Sequence, residues 1–257
     1  MADYDNRVLR SGTTTAVGVD AGLRSFMLRV YNYMLTGLVL TGFAAMGTYL
    51  LSFTTDPALS VGSLGNGIMV TQFGAVLFGS PLRWVVMLAP LGMVMVLSFG
   101  IHRFSAGAAQ MLFWVYSALM GISLSTIFVM YTGASISQVF FITAATFGAM
   151  SLYGYTTQRD LTGWGSFLFM GLIGLVIAMV VGYFVHSSAL QFLISVAGVL
   201  IFTGLTAYDT QKIKEIYYVG DDGTVTGRKA IMGALSLYLD FINLFLMLLR
   251  LMGSGRR

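Results

Sequence analysis

The stretch from Phe202 to Arg250 decides the fold of this chain. It reads FTGLTAYDTQKIKEIYYV over 202–219, GDDGTVTGR over 220–228 and KAIMGALSLYLDFINLFLMLLR over 229–250. Asp209 closes one hydrophobic run, and Asp240 lies inside the next. An unpaired charge in the middle of a membrane costs roughly 2.5–3.5 kcal/mol on insertion scales. Asp240 therefore requires a partner, a proton or a water-filled cavity.

The composition places the chain among integral membrane proteins. Of its 257 residues, 57% are hydrophobic and only 9% are charged, whereas a soluble domain carries about 25% charged residues. The sequence contains no cysteine, which excludes disulfides and thiolate metal sites but selects no compartment. The net charge of +4 matters less in such a protein than the placement of the basic residues.

Seven apolar segments follow one another, each near the ~20 residues that a helix needs to cross a bilayer. They are Val30–Phe53, Leu82–Ile101, Ala108–Met130, Ile136–Tyr155, Trp164–Val185, Ala189–Tyr208 and Ile231–Met252. We therefore predict an all-α integral membrane protein with one seven-segment domain over 30–252. A polar cytoplasmic N-terminal tail is expected over 1–29, and a short basic tail over 253–257.

Two connections between segments are long, Thr54–Pro81 and Asp209–Ala230. The first is rich in Gly and Ser around an apolar centre, Ile68–Phe78, which suits an ordered loop better than an interfacial or re-entrant segment. Elsewhere, small residues at a spacing of four predict tight helix contacts. They are Gly174, Ala178 and Gly182 in the fifth segment, and Ser117, Gly121 and Ser125 in the third.

The basic residues predict a cytoplasmic N-terminus. In that orientation the outer side holds four of the fourteen Lys and Arg residues, which are Arg83, Arg250, Arg256 and Arg257, and the inner side holds the remaining ten. Three of those four follow the last segment. A re-entrant last segment would return them to the inside, so its charges favour re-entry while its length favours a full span.

The candidate site lies on the last two segments. Gly233, Ser236, Asp240 and Asn243 recur at spacings of 3, 4 and 3, which places them on one helical face. Such a polar stripe should face the interior of a bundle, where it serves either a functional site or a hydrogen-bonding network that fixes packing.

Two further predicted site residues lie near the cytoplasmic ends of their segments. Asp209 follows Thr206 on one face of the sixth segment. Arg103 closes the second segment at the same level, so an Arg–carboxylate bridge that holds Asp209 charged is geometrically feasible. The plainer interpretation makes Asp209 a boundary residue facing water and Arg103 a residue that sets topology.

Other kinds of chemistry find no support in the sequence. It shows no His/Cys/Glu cluster with metal-ligand spacing, no phosphate-binding glycine loop and no Ser/His/Asp set. The basic residues are few and scattered along membrane edges, so no nucleic-acid partner is expected. We predict no cofactor.

Three motifs carry a resemblance to a known family. GLTAYDTQKIK, TTQRDLTGWGSFLFMGLIGL and ALSLYLDFINLFLMLLRL resemble the transmembrane Bax inhibitor motif family in its bacterial branch, over about residues 24–252. The resemblance implies a seven-helix bundle with the last helix central and two groups of three around it. It also implies a pH-sensitive calcium leak channel, with the family's paired acids at Asp209 and Asp240 and its partner arginine at Arg103.

The expected function follows from the acid pair. Two carboxylates that meet in a low-dielectric site can share a proton, or they can accept a cation such as Ca²⁺ as the permeating ion. An intramembrane aspartyl protease would need a Gly-x-Gly-Asp motif, but Leu237 and Leu239 occupy its glycine positions, so we predict no enzyme. The alternative is a regulator that binds a membrane protease or another membrane complex. In either case we expect a multi-pass protein of the inner (plasma) membrane, in contact with the lipid bilayer.

Overall fold

The computed structural model describes residues 2–65, 68–185 and 187–256, with the backbone alone for residues 2–20 and 65. Seven of its helices are long and apolar enough to cross a membrane. In chain order the helices are α1 (Ala2–Ser52), α2 (Gln72–Gly79), α3 (Leu82–Gly100), α4 (Ala106–Leu124), α5 (Ile127–Met130), α6 (Gly133–Thr156), α7 (Thr162–Phe184), α8 (Ser188–Glu215) and α9 (Gly223–Met252). The prediction of an all-α membrane bundle is confirmed.

Several helices extend beyond the apolar segments that predict them. Helix α1 begins at Ala2, so most of the expected N-terminal tail is continuous with the first span. Helix α8 runs on to Glu215, and α9 starts at Gly223 behind an N-cap in which Asp222 accepts the Val225 N–H. The connection predicted over 209–230 is therefore only 216–222. Hydropathy ends where polar residues begin, but a capped helix continues through them.

The last helix forms the core of the bundle. In α9, 72% of the most apolar 18-residue window is buried, against 11–33% in the other six spans. The helix is unbroken over its 30 residues, so it is a full-length helix and not a re-entrant hairpin. Helix α9 buries residues over most of its circumference, and its less buried positions, among them Ser236 and Asn243, lie on one face.

Four of the other six long helices make the main contacts with α9. Helices α1, α4, α6 and α8 pack directly on it, and α1 also packs on α4 as α6 does on α8. Helix α3 packs on α4, and α7 packs on α8. The outer surfaces of these spans expose many large apolar side chains, for example Phe43, Phe99 and Phe141, as lipid-facing helices do.

The connection between α1 and α3 has structure of its own. Strands β1 (Phe53–Thr54), β2 (Ser60–Gly65) and β3 (Ile68–Thr71) form an antiparallel sheet in the order β1-β3-β2, and α2 follows directly. The sequence predicts an ordered loop here and gives no sign of the sheet, because two-residue and Gly-rich strands leave no clear alternation.

The two ends of the bundle differ in character. We call the end that carries this sheet, residues 131–132 and the C-terminal residues 253–256 the sheet end. The opposite end carries the α6–α7 loop (157–161), the α8–α9 loop (216–222) and most of the basic side chains, and we call it the basic end. Contacts such as that of the Arg228 guanidinium, which donates to the His102 carbonyl at 2.8 Å, tie α9 to its neighbours there.

The two small-residue faces have different outcomes. Ser117, Gly121 and Ser125 are buried, and a side chain at Gly121 would overlap the Thr41 carbonyl of α1, so tight packing of α4 is confirmed. On α7 the prediction is confirmed for Gly182, which is buried with Ile194 of α8 3.2 Å from an added Cβ atom. It is wrong for Gly174, which is exposed, and a Cβ atom there would meet no atom of another element within 4 Å. The reason is that glycine is common on lipid-facing surfaces of membrane helices as well as in contacts.

Candidate functional site

The two acids of the predicted site lie near each other at the α8–α9 contact. Gly233 of α9 lies against Ile213 of α8, and Gly198 of α8 lies against Met247 of α9. In this antiparallel register, Asp240 lies level with the residue three positions before Asp209 in α8. Asp209 and Asp240 are offset by about 5 Å along the helix axis. The two acids therefore lie about one helical turn apart along this contact.

Asp240 has an unsatisfied carboxylate. Its side chain is 5% exposed, and its Oδ2 atom has no hydrogen-bond partner in the described part of the chain. A buried carboxylate oxygen without a donor is costly, and native structures rarely retain one without a reason. Asp209 is partly exposed by comparison and lies nearer the basic end.

Other acids at the basic end do have partners. Asp221 pairs with Lys229, whose ammonium also donates to a loop carbonyl. Asp222 caps α9, and Asp160 accepts the N–H of the residue two positions later at the start of α7. The unsatisfied oxygen of Asp240 is therefore not a general property of acids in this fold.

Arg103 lies apart from the acid pair in this conformation. It belongs to a 3₁₀ turn, Ile101–Arg103, that follows α3 at the basic end, and its side chain is exposed. Among the described residues the one ion pair is that of Lys229 and Asp221. The charged neighbour of Asp209 is instead Lys212, on the next turn of the same helix. The bridge from Arg103 to Asp209 stays a prediction.

The predicted supporting residues occupy the same region but bond locally. Thr206 is fully buried, and its hydroxyl donates to the Phe202 carbonyl at 2.8 Å. Asn243 is half-buried and donates from Nδ2 to the Leu239 carbonyl at 2.8 Å, and Ser236 is also half-buried. Thr206 and Asn243 thus bond their own helices, and neither supplies a hydrogen bond to Asp240.

The structure contains a row of hydrogen-bonded hydroxyl groups beside the acids, a hydroxyl chain that the sequence does not predict. The Tyr31 hydroxyl of α1 bonds Ser151 Oγ of α6 at 2.7 Å, and Ser151 Oγ bonds Thr210 Oγ1 of α8 at 2.9 Å. Thr210 in turn donates to the Thr206 carbonyl at 2.7 Å. This hydroxyl chain joins three helices, and its last member, Thr210, is adjacent in sequence to Asp209. Its sequence signal is weak, because isolated hydroxyl residues are frequent in membrane helices.

A second hydrogen-bond network holds the face of α9 that lies opposite Asp240. The Tyr238 hydroxyl bonds Thr41 Oγ1 of α1 at 2.6 Å, and Thr41 also donates to the Gly37 and Ser117 carbonyls. The ring of Tyr238 meets that of Phe113 edge-on, with 5.8 Å between ring centroids. Because α9 is held from this side, Asp240 two residues later has a defined position against α8.

The site offers few groups that could hold a cation. Across the described residues, no group of three or more His, Cys, Asp or Glu side chains is placed to hold a metal ion. Asp209 and Asp240 supply carboxylate oxygens, which hard cations prefer. Two carboxylates are fewer ligands than a resident Ca²⁺ takes, since Ca²⁺ binds 6–8 oxygens.

The comparison with family models agrees with the resemblance given by the motifs. The model described as Inhibitor of apoptosis-promoting Bax1 matches residues 23–257, which hold all seven spans except the first two residues of the first. The chain belongs to this family. Both acids and the whole of α9 fall inside the region that this family model matches.

Curated relatives of this Bax1 inhibitor family member span nearly the same length. An uncharacterized protein of Rickettsia prowazekii is 46% identical over 258 residues and covers 100% of both chains. The inner membrane protein YbhL of Escherichia coli is 47% identical over 239 residues, which is 92% of this chain and 94% of the relative. An uncharacterized membrane protein of Streptococcus pyogenes is 38% identical over 92% of this chain and 95% of its own. This Bax1 inhibitor family member is a multi-pass membrane protein.

Proposed function

We propose that the protein is a pH-sensitive calcium (cation) leak channel in which Asp209 and Asp240 form both the gate and the ion site. The observation that carries the proposal is the buried Asp240 oxygen without a hydrogen-bond partner in the described residues, placed on the central helix about one helical turn from a second acid. It is a transport function and involves no catalytic step.

The chemistry of the pair supplies the gate. A buried carboxylate and a partly exposed neighbour repel each other when both are ionised, and a proton or a cation between them relieves that repulsion. With one shared proton they can hydrogen-bond and hold α8 against α9. Without it, they separate or bind a cation. Cation flux should therefore rise as the pH rises through the range in which the pair loses its shared proton.

A site with only two carboxylate ligands suits an ion that passes through. Conduction requires binding that is favourable enough for entry and weak enough for exit. The two carboxylates would supply part of a Ca²⁺ shell, and water would supply the rest. A site of this kind holds a cation briefly, whereas a full set of protein ligands would retain it.

A row of hydroxyl groups connects the neighbourhood of the pair with a cavity near the basic end. A cavity of about 420 Å³ lies between α1 and α6, and its walls include Tyr31 and Ser151 of the hydroxyl chain. That chain continues to Thr210, next to Asp209. The rest of the cavity wall is mostly apolar and neither acid lines it, so the hydroxyl groups are the polar link between the cavity and the pair.

Flux through the purified protein tests the proposal. Liposomes that contain only this protein should release or admit Ca²⁺ faster than protein-free liposomes, and the rate should differ between pH 6 and pH 8, two values that bracket neutrality. Parallel assays with Na⁺, K⁺ and Mg²⁺ identify the ion that is preferred. Flux equal to that of protein-free liposomes for every cation would rule out a channel.

The orientation of the channel is a further part of the proposal. The basic residues favour placing the basic end in the cytoplasm, and the name of the Escherichia coli relative favours the inner membrane. The chain lacks cysteine, so single cysteines can report each side. Thr224→Cys at the exposed start of α9 should resist an impermeant thiol reagent in sealed cells, and Ala58→Cys at the sheet end should react. The reverse pattern would overturn the orientation.

The alternative of a regulator that binds a membrane protease depends on the polar N-terminal residues. The side chains of residues 2–20 lie outside the described part of the structure. The flux assay separates the two functions, because a protein that acts only by binding a partner would be silent in liposomes that contain nothing else.

A further inference from the structure

A second cavity lies at the sheet end of the bundle, far from the acid pair. It has a volume of about 530 Å³ and is formed by the end of α7, the first turns of α8 and the last turn of α9. Its wall is amphipathic: Met179, Phe192 and Ile194 supply an apolar part, and Gln191 and Arg250 supply a polar part. None of its described wall residues is acidic.

Arg250 brings an uncompensated positive charge to this wall. It is exposed in the last turn of α9, and it forms no ion pair or hydrogen bond with the described part of the chain. The helix C-terminus favours a cation there, but it leaves the five N–H donors of the guanidinium without partners. Phosphate oxygens match this fork of donors in geometry and charge.

The cavity opens toward the lipid. Tyr183 and Phe192 on its walls are 75% and 58% exposed, and they belong to α7 and α8, whose outer faces are apolar. Arg250 lies two residues before the end of a membrane-crossing helix, which is the depth of lipid headgroups. A ligand can therefore enter sideways with a charged group at the arginine and a hydrocarbon chain along Phe192 and Met179.

We propose that this cavity binds one anionic phospholipid, with its phosphate on Arg250 and Gln191 and an acyl chain on the apolar wall. Charge complementarity selects the headgroup, and the amphipathic wall selects a lipid over a free anion. Basic pockets between transmembrane helices bind acidic headgroups by the same principle. The proposal is independent of the channel function, because it concerns the other end of the bundle.

Native mass spectrometry of the purified full chain tests this inference. The protein is mixed with equal amounts of phosphatidylglycerol and phosphatidylcholine that carry the same acyl chains. Wild type should retain phosphatidylglycerol about tenfold over phosphatidylcholine, and Arg250→Gln should lower that preference about tenfold. The matched control is Arg83→Gln, at the same end but with its guanidinium over the Trp84 ring and outside the cavity, which should behave as wild type.

A second variant keeps the test decisive if Arg250→Gln does not fold. Gln191→Glu adds an acid to the exposed polar wall and should also reduce phosphatidylglycerol retention. Equal loss in the Arg83 and Arg250 variants, no headgroup preference in wild type, or unchanged retention by Gln191→Glu would each overturn the proposal. Displacement of the lipid by millimolar inorganic phosphate would show a free-anion site and would overturn it as well.

Discussion

Replacing Asp240 with asparagine should abolish the pH dependence of cation flux. The amide keeps the size of the carboxyl group but can neither lose a proton nor carry the charge that a cation needs. Asp240 is the buried member of the pair, and its unpaired oxygen is the feature on which the gate depends. The ratio of flux at pH 8 to flux at pH 6 should fall from its wild-type value to near one.

Asp209→Asn should have the same effect, because a shared proton requires both carboxylates. A control substitution is Thr146→Val on α6, which removes a hydroxyl that bonds only the Ile142 carbonyl of its own helix. That variant should keep the wild-type ratio. If Asp240→Asn retained the full pH response while Asp209→Asn lost it, a single acid would be the sensor and the paired gate would be wrong.

The largest effect on stability should come from Gly154→Leu. Gly154 of α6 is buried directly against the backbone of Ala207 in α8, and even a Cβ atom there would overlap the Ala207 carbonyl. Backbone cannot give way as a flexible side chain can, so leucine must push α6 and α8 apart. Overpacking costs about 1–3 kcal/mol where neighbours adjust, and we expect at least the upper part of that range here.

The matched control for this variant is Gly174→Leu. It makes the same chemical change within a membrane helix, with the same gain in helix propensity, at an exposed position where an added Cβ atom would contact no other element. Thermal unfolding in detergent should show a lower melting temperature for Gly154→Leu and a wild-type value for Gly174→Leu. Equal melting of the two variants would mean that the close contact of α6 with α8 is absent in the protein.

The outline of this fold can be predicted from hydropathy because the bilayer imposes one strong rule on the sequence. Each span must satisfy its backbone internally and present apolar side chains to lipid, so seven apolar runs predict seven helices. The acids stand out for the same reason, since a charge inside an apolar run has a high cost. Asp240 is therefore visible in the sequence and lies on the most buried helix of the structure.

Other features follow from contacts that the sequence does not encode locally. Gly154 and Gly174 look alike in the chain, yet one meets the backbone of α8 and the other meets no atom. The hydroxyl chain from Tyr31 to Thr210 joins residues that are far apart in sequence. Arg103 has the expected position at the end of α3, but its side chain does not reach the acids. Such outcomes depend on how the helices are rotated against one another.

The central claim is that the two acids act as one gate, and the double variant Asp209→Asn plus Asp240→Asn tests it most directly. Ca²⁺ flux is measured against pH in liposomes that contain only wild type or only the double variant, at equal amounts of folded protein. We predict a pH-dependent flux for wild type and none for the double variant, with a loss little greater than that of either single variant because the acids work together. A double variant with normal pH-dependent flux would contradict this claim and would leave Asp209 and Asp240 as residues of packing or assembly.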